Sequence, residues 1–289
     1  MANYKYQHYI PAGHQALFSD GSSTKNFVCK YDCVKSIIYS RLQNPKNHGG
    51  KNHLYSFPSD LVLSEEQKTY LETHFFSQDG QFVGVVKKIM RDEPISENDV
   101  YQITKYIAGM KNRHPSIIKS REKNITQSAL EHMFGDDAKM IEIFKSEEVK
   151  FVPKSEDDFI QASSLNEMLK SFVENLHDLC DISMNLLVSD SEEFILSDRP
   201  LVGMIDGTLT PDADKLSSDI DYFMPLSKNI CAHLNGSGQR LNGYSIDDKR
   251  VGIINKLQIA SAKEFVIASS VSVLKQNLDK AGVTYVVQE

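Results

Sequence analysis

The period of the apolar positions changes twice along this chain. Residues 27–40 (NFVCKYD, then VKSIIYS) are rich in β-branched and aromatic side chains, which predicts a β-hairpin. RLQNPKNHGGKN (41–52) reads as a loop, with Pro45 and the Gly49-Gly50 pair as breakers. From Ser64 the spacing becomes helical. Ser64-Glu65-Glu66-Gln67 has the form of a capping box, followed by Tyr70, Leu71, His74 and Phe75 at helical spacing. Gln78-Asp79-Gly80 interrupts that helix, and VGVVKKIMRD follows as a second. Ser96 caps a third, in which Val100, Ile103, Ile107 and Met110 form one stripe. His114-Pro115 stops it, because the residue before proline avoids the α region. Further helices are expected at about 126–134, 136–146 and 158–181, the last with a face of Phe159, Leu165, Met168, Leu169, Phe172 and Leu176.

At Ser183 the period falls to about two. SMNLLVSDSEEFILSDRPLVGM reads as two strands joined at Asp190-Ser191-Glu192. YFMPLSKNICAHL (222–234) is strand-rich and broken at Pro225, and NGSGQRLNG (235–243) is a loop. Asp247 caps a helix, FVIASS (265–270) is a short buried strand, SVLKQNLDKAG is a helix closed by Gly282, and VTYVVQE is a last strand. A lone hairpin is marginal in water, so the N-terminal hairpin must find partners. The expectation is an α+β fold: one mostly antiparallel sheet of N-terminal and C-terminal strands, with the helical middle packed on it. It forms a single domain, 1–289, with a helical insert at about 64–181 between strand-rich 1–60 and 183–289.

Composition adds exclusions. No apolar run approaches the roughly 20 residues that span a bilayer, and MANYKYQHY lacks a signal-peptide pattern, so a cytoplasmic protein with no membrane partner is expected. Cys29 and Cys33 form a C-x3-C pair without two further ligands at zinc spacing, so the four cysteines are read as reduced and structural, and no metal ligands are assigned. The net charge of -7 argues against generic coating of nucleic acid. The charge is split, however: 1–58 and 105–123 are basic and 136–220 is acidic. Such a split fits either an anionic ligand on one side or mutual neutralisation. P-loop, GxGxxG, HExxH, GxSxG and EF-hand patterns are absent from the sequence.

Four constellations could carry chemistry. The opening run QHYIPAGHQALFSD places His8 and Tyr9 beside Pro11, with His14 reading as a surface residue. FILSDRP delivers Ser197 and Asp198 to a strand end, as a site or as a turn. Asn255 sits in an otherwise apolar helix and needs partners, from a ligand or from backbone. Lys111-Asn112-Arg113-His114-Pro115 ends a helix, where cations complement the dipole; Arg113 could instead clamp an anion.

QHYIPAGHQALFSD, NFVCKYD, NHLYSF, LETHFFSQDGQFVGVVKKI, FILSDRPLV, YFMPLSKNICAHL and NKLQIASAKEFVIAS, in this order, resemble the bacterial domain-of-unknown-function family numbered 4238. That family opens on a His-Tyr-Val-Pro-Gln pattern and continues through a Ser-Asp-x-Pro strand end to an Asn-containing helix. The resemblance points to His8, Tyr9, Pro11, Asp198, Pro200 and Asn255. The chain departs from the pattern at Ala12, at Gln15 and at Asp79, where a glutamate is usual. The family has no established reaction. The expectation is a hydrolase of phosphodiesters or nucleotides, nuclease-like and, by analogy, a toxin or defence effector. His8 would be its acid/base, and Asp198 would orient His8 or hold a divalent metal. Tyr9, Arg113 and Asn255 would bind substrate, with a nucleic acid or nucleotide as partner. The alternatives are a non-catalytic ligand-sensing or partner-binding module and a buried structural network. The need for a divalent metal cofactor and the oligomeric state are left open.

Overall fold

The hairpin expected near the N-terminus is the centre of a sheet. The computed structural model describes residues 6–21, 26–56, 71, 76, 79–124, 156–210, 216–237 and 242–288. Strands β2 (Val28–Asp32) and β3 (Ile37–Gln43) pair antiparallel with Tyr31 opposite Ile38. On one side β12 (Phe265–Ala268) pairs with β2, setting Cys29 opposite Ala268, and β6 (Leu196–Ser197) pairs with β12. On the other, β13 (Val286–Gln288) runs parallel to β3. N-terminal and C-terminal strands therefore share this sheet.

In place of the single sheet of the sequence argument there are two, and a separate two-stranded ribbon. The second sheet has six strands in the order β11-β5-β10-β9-β7-β8. Its members are β5 (Ile182–Val188), β7 (Val202–Ile205), β8 (Thr208–Thr210), β9 (Asp221–Pro225), β10 (Ile230–Ser237) and β11 (Asn242–Ser245). The stretch after Asp190 does not fold back on β5. Ser189 Oγ donates to the Glu192 carbonyl and the Phe194 N–H to that of Lys228, which carries the chain across to the other sheet. There Leu196 and Ser197 meet β12.

The ribbon corrects the reading of 41–52 as a plain loop. β4 (Gly50–Asn52) pairs antiparallel with β1 (Tyr6–His8). Gly49 has φ +65, and its carbonyl accepts from the N–H groups of Tyr9 and Ile10 at 2.6 and 2.9 Å. A Cβ on Gly49 would lie 2.8 Å from Gln15 Nε2, so the position needs glycine both for its backbone angle and for its closeness.

The helices are α1 (Ala12–Ala16), α2 (Asp79–Met90), α3 (Glu97–Met110), α4 (Pro115–Asn124), α5 (Glu156–Cys180), α6 (Asp248–Ser261) and α7 (Val271–Lys280). α2 begins at Asp79 and takes in Gly80, four residues before the expected start at Val83. The capping box at Ser64 and the helices expected at 126–134 and 136–146 lie outside the described residues. Asp247 caps α6 as expected, its side chain accepting from the Arg250 N–H. Ser96 caps α3 through a reciprocal box with Asp99. Ser96→Ala removes an acceptor for an otherwise unpaired helix-end N–H and should cost about 1 kcal/mol in chemical denaturation.

Two cores result. Cys29, Tyr31, Ile38, Val266, Leu274 and Leu278 pack α7 on the five-stranded sheet. The larger core joins Tyr9, Ile10 and Phe18 of the opening run to Phe82, Ile103 and Leu165 of the helical middle and Phe223 of the second sheet. Among the described residues no helix is long and apolar enough to cross a membrane.

Candidate functional site

Alternation along β1 decides what the opening run contributes, because successive side chains leave a strand on opposite faces. Gln7 and Tyr9 turn inward, each 1% exposed. Gln7 donates to Ser56 Oγ at 3.0 Å and accepts from the Tyr55 N–H at 2.6 Å. Tyr9 donates its phenol to Glu264 Oε2 at 2.6 Å, and its ring stands edge-on to that of His114, with centroids 5.1 Å apart. His8 goes the other way. It is half-buried, its Nε2 lies 3.2 Å from the Lys46 carbonyl, and burial lowers its pKa.

Asp198 therefore does not orient His8. It holds His114, whose Nε2 lies 3.0 Å from Asp198 Oδ2. The same carboxylate accepts from the N–H groups of Lys263 (2.9 Å) and Glu264 (2.6 Å). These two residues sit in the turn before β12, so Asp198, at the end of β6, is fixed where two strands of one sheet end side by side.

His114 sits at the corner between α3 and α4. Pro115 begins α4, a favoured place because its missing N–H has no helical partner to lose. The His114 carbonyl accepts from the N–H of Ile117 at 3.0 Å, and its Nδ1 accepts from that of Ser116 at 3.1 Å. α3 already ends at Met110, ahead of the expected stop, and His114-Pro115 starts the next helix. A backbone N–H only donates, so Nδ1 carries a lone pair and Nε2 the proton given to Asp198. Ser116 Oγ lies 2.6 Å from Nδ1 and donates to it. Serine, histidine and aspartate form one chain of hydrogen bonds, with His114 and Asp198 buried and Ser116 half-buried.

Glu264 lies beside this chain. Burial pushes its pKa up, but bonds from Lys51 Nζ (2.7 Å) and Tyr9 bring it below the ordinary value. Burial, with the neighbouring Glu264, raises the pKa of the Tyr9 phenol, which stays a donor.

The other expected site residues are engaged by the protein itself. Arg113 is buried; its guanidinium makes two bonds to Asp79, at 2.9 and 3.0 Å, and one to the His8 carbonyl at 3.0 Å, over the Phe76 ring. Asn255 accepts from the Ile195 N–H and donates to the Glu193 carbonyl and to Asn277, joining α6 and α7 to the approach of β6. Gln258, one turn on, bonds Ser197 and the Pro200 carbonyl. Arg113 and Asn255 both find partners inside the fold, as buried polar groups do. His14, read as a surface residue, is fully buried: Nε2 donates to the Pro225 carbonyl and Nδ1 accepts from Tyr106.

The cysteines Cys29, Cys33, Cys180 and Cys231 are free, and burial pushes the thiols of Cys29 and Cys33 up to about 11 and about 12. Neither is a thiolate nucleophile at neutral pH. Among the described residues, no three His, Cys, Asp or Glu side chains are grouped to hold a metal ion. The sequence argument missed His114, Ser116, Glu264 and Lys263. Histidine followed by Pro115 and Ser116 was a legible helix-start signal that could have found the first two.

The family described as "Protein of unknown function (DUF4238)" matches residues 6–272. The chain belongs to this family. The match begins within the opening run and takes in the DUF4238 residues described above, including His8, Tyr9, Asp198 and Asn255. The chain is also 28% identical over 143 residues to the ATP synthase gamma chain of Chlorobium phaeobacteroides (strain BS1), covering 46% of this chain and 48% of that one. It thus spans about half the length of that curated relative. No solved structure matches.

Proposed function

We propose that the protein is a hydrolase of phosphodiester or nucleotide substrates. Ser116 is its nucleophile, His114 its general base, and Asp198 positions the imidazole. The observation that supports this is the linked pair of bonds, 2.6 Å from Ser116 Oγ to His114 Nδ1 and 3.0 Å from Nε2 to Asp198. A nucleophile within hydrogen-bond reach of a base that is itself held by a third group is the arrangement such catalysis requires. As Ser116 Oγ attacks phosphorus, its proton passes to Nδ1, the ester P–O bond breaks, and the leaving oxygen takes the proton. Water then attacks the phosphoserine and gives a proton to Nδ1, the P–Oγ bond breaks, and Oγ takes that proton, which restores the serine and the neutral imidazole. Asp198 lies against the imidazolium that forms in between. The basic stretch 105–123 carries both Ser116 and His114, which suits an anionic substrate. A reducing, cytoplasmic setting belongs to this proposal and accords with the four free cysteines.

Ser116→Ala should lower hydrolysis of bis(p-nitrophenyl) phosphate by at least about a hundredfold while leaving the melting temperature nearly unchanged. Full activity in that variant rules out the nucleophile. A second reading, a non-catalytic ligand-sensing or partner-binding module, is favoured by the three internal bonds to Asp198. Under that reading the wild-type protein hydrolyses no ester.

A further inference from the structure

We infer that Glu264 is a positioning residue for His114, holding the imidazole through its backbone on one side and through Tyr9 on the other. The Glu264 N–H donates to Asp198 Oδ2 at 2.6 Å, the same oxygen that His114 Nε2 meets at 3.0 Å. Its Oε2 accepts from the Tyr9 phenol at 2.6 Å, and the Tyr9 ring stands at 81° to that of His114, with centroids 5.1 Å apart. The contacts close on themselves, from His114 to Asp198, to Glu264, to Tyr9 and back to His114. The remaining polar groups of Glu264 are engaged too. Its carbonyl accepts from the Cys33 N–H at 3.0 Å and its Oε1 from Lys51 Nζ at 2.7 Å. A glutamate side chain gives up much rotamer freedom when it is fixed in this way, so the bonds must outweigh that cost.

The closed path supplies what the bonds at the imidazole nitrogens cannot. Those bonds run near the ring plane and leave the ring free to tilt out of it. A second ring standing nearly perpendicular opposes the tilt and adds an attraction of its own. Lys51 explains why the holder is a carboxylate. Tyr9 follows β1, and Lys51 lies on β4 opposite Gln7, so Glu264 ties both halves of the ribbon to the start of β12. An amide could accept from the phenol but would not pair with the ammonium. Burial raises the Glu264 pKa, while Lys51, Tyr9 and the charge of His114 bring it below the ordinary value. Attraction between Glu264 and protonated His114 is mutual, so an ionised Glu264 also steadies the imidazolium that forms when Ser116 gives up its proton. This inference rests on the hydrolase reading for the use made of the imidazole, though not for its placement.

The test is NMR of the full chain carrying isotope-labelled histidine, reading how fast the His114 Nε2 proton exchanges with water. His114→Gln, which lacks that resonance, assigns it. Glu264→Gln keeps the backbone donor to Asp198 and an acceptor for Tyr9 while removing the charge. Tyr9→Phe keeps the ring while removing the phenol. Exchange should quicken about tenfold in each, the worth of one charge-assisted hydrogen bond. The double variant should exchange about as fast as either single variant, because both break the same link. With bis(p-nitrophenyl) phosphate, kcat should fall about tenfold in each single variant and KM should stay unchanged. A Glu264 that only ties the ribbon to β12 would speed exchange at the Tyr9 and Ile10 amides and leave the imidazole proton at its wild-type rate. That result, or rates that multiply in the double variant, overturns the inference. The loosened, non-additive pattern in a protein that hydrolyses no ester leaves the inference standing and removes the hydrolase reading. Hydrolysis abolished by Ser116→Ala, with the imidazole proton unmoved in both single variants, does the reverse.

Discussion

Asp79→Ala is expected to destabilise the fold by about 3–5 kcal/mol, the cost of removing one partner from a buried ion pair. The two members of the pair are not equally placed. Asp79 is 24% exposed and can be hydrated, whereas the Arg113 side chain is only 4% exposed. Burial pulls the guanidinium down, and the charge and bonds of Asp79 overcome that, holding it above its ordinary value. Arginine cannot escape by losing its proton. Without Asp79 the guanidinium keeps the His8 carbonyl and the Phe76 ring but loses two charge-assisted bonds. The double variant Asp79→Ala/Arg113→Met removes the stranded charge and should recover much of the loss. Urea denaturation of both single variants and the double gives the coupling energy. A cost below about 1 kcal/mol for Asp79→Ala would show the pair to act as a surface salt bridge. The same clamp sets the corner between α3 and α4, because Arg113 precedes His114 and its carbonyl accepts from Tyr55 at 2.6 Å. Hydrolysis that depends on His114 should therefore fall in Asp79→Ala even under conditions where the chain stays folded.

What was legible in the sequence was local. The α3 stripe and its Ser96 cap, the Asp247 cap of α6 and the β2–β3 hairpin are each written within about a dozen residues, where period and turn chemistry act directly. The division into two sheets was not legible. Leu196 and Ser197 pair with residues some 70 positions later, and nothing in an apolar run of that length says which strand it will choose. Glycine was misread for a related reason. Gly49-Gly50 looked like loop punctuation, yet Gly50 lets β1 approach β4 closely and Gly49 leaves room for Ile10 and Gln15. The site shows the same limit. The sequence marked His8, Asp198 and Asn255 as polar residues in apolar settings and Arg113 as a cation at a helix end, and each does have specific partners. Which histidine meets Asp198 depended on strand parity at β1 and on where the α3–α4 corner docks. Both are settled by the tertiary fold rather than by spacing. Gln15 illustrates the point from the other side: its buried side chain ties the carbonyls of Ile10 and His48 together.

Stability is expected to fall steeply between pH 6.5 and about 4, ahead of the carboxylates. Burial, with Arg113 adding to it, pushes His14 down to about 4, although its bond to the Pro225 carbonyl works the other way. Burial, with Lys30 and His8 adding to it, pushes His48 down to about 4 as well. In the unfolded chain both titrate near about 6.5. The sign follows from proton counting. Below 6.5 the unfolded state binds protons that the native state refuses, so the stability these sites contribute is complete above 6.5 and is lost as the pH falls toward 4. A drop from 6.5 to about 4 corresponds to about 3 kcal/mol for His14, and His48 adds a loss of similar order. The Nδ1 of His14 accepts from Tyr106, so a second ring proton would require that hydroxyl to turn and accept, giving up the bond it now donates. Asp99, held down at about 2, loses its bonds only in stronger acid. The check is urea denaturation at several pH values for wild type and His14→Gln, which keeps one donor and one acceptor without the titration. The variant should lose up to about 1.4 kcal/mol per pH unit of slope inside this window and none above pH 7. A wild-type stability that is flat from pH 6.5 to 4.5 would mean that the histidine sites open to water before they are protonated.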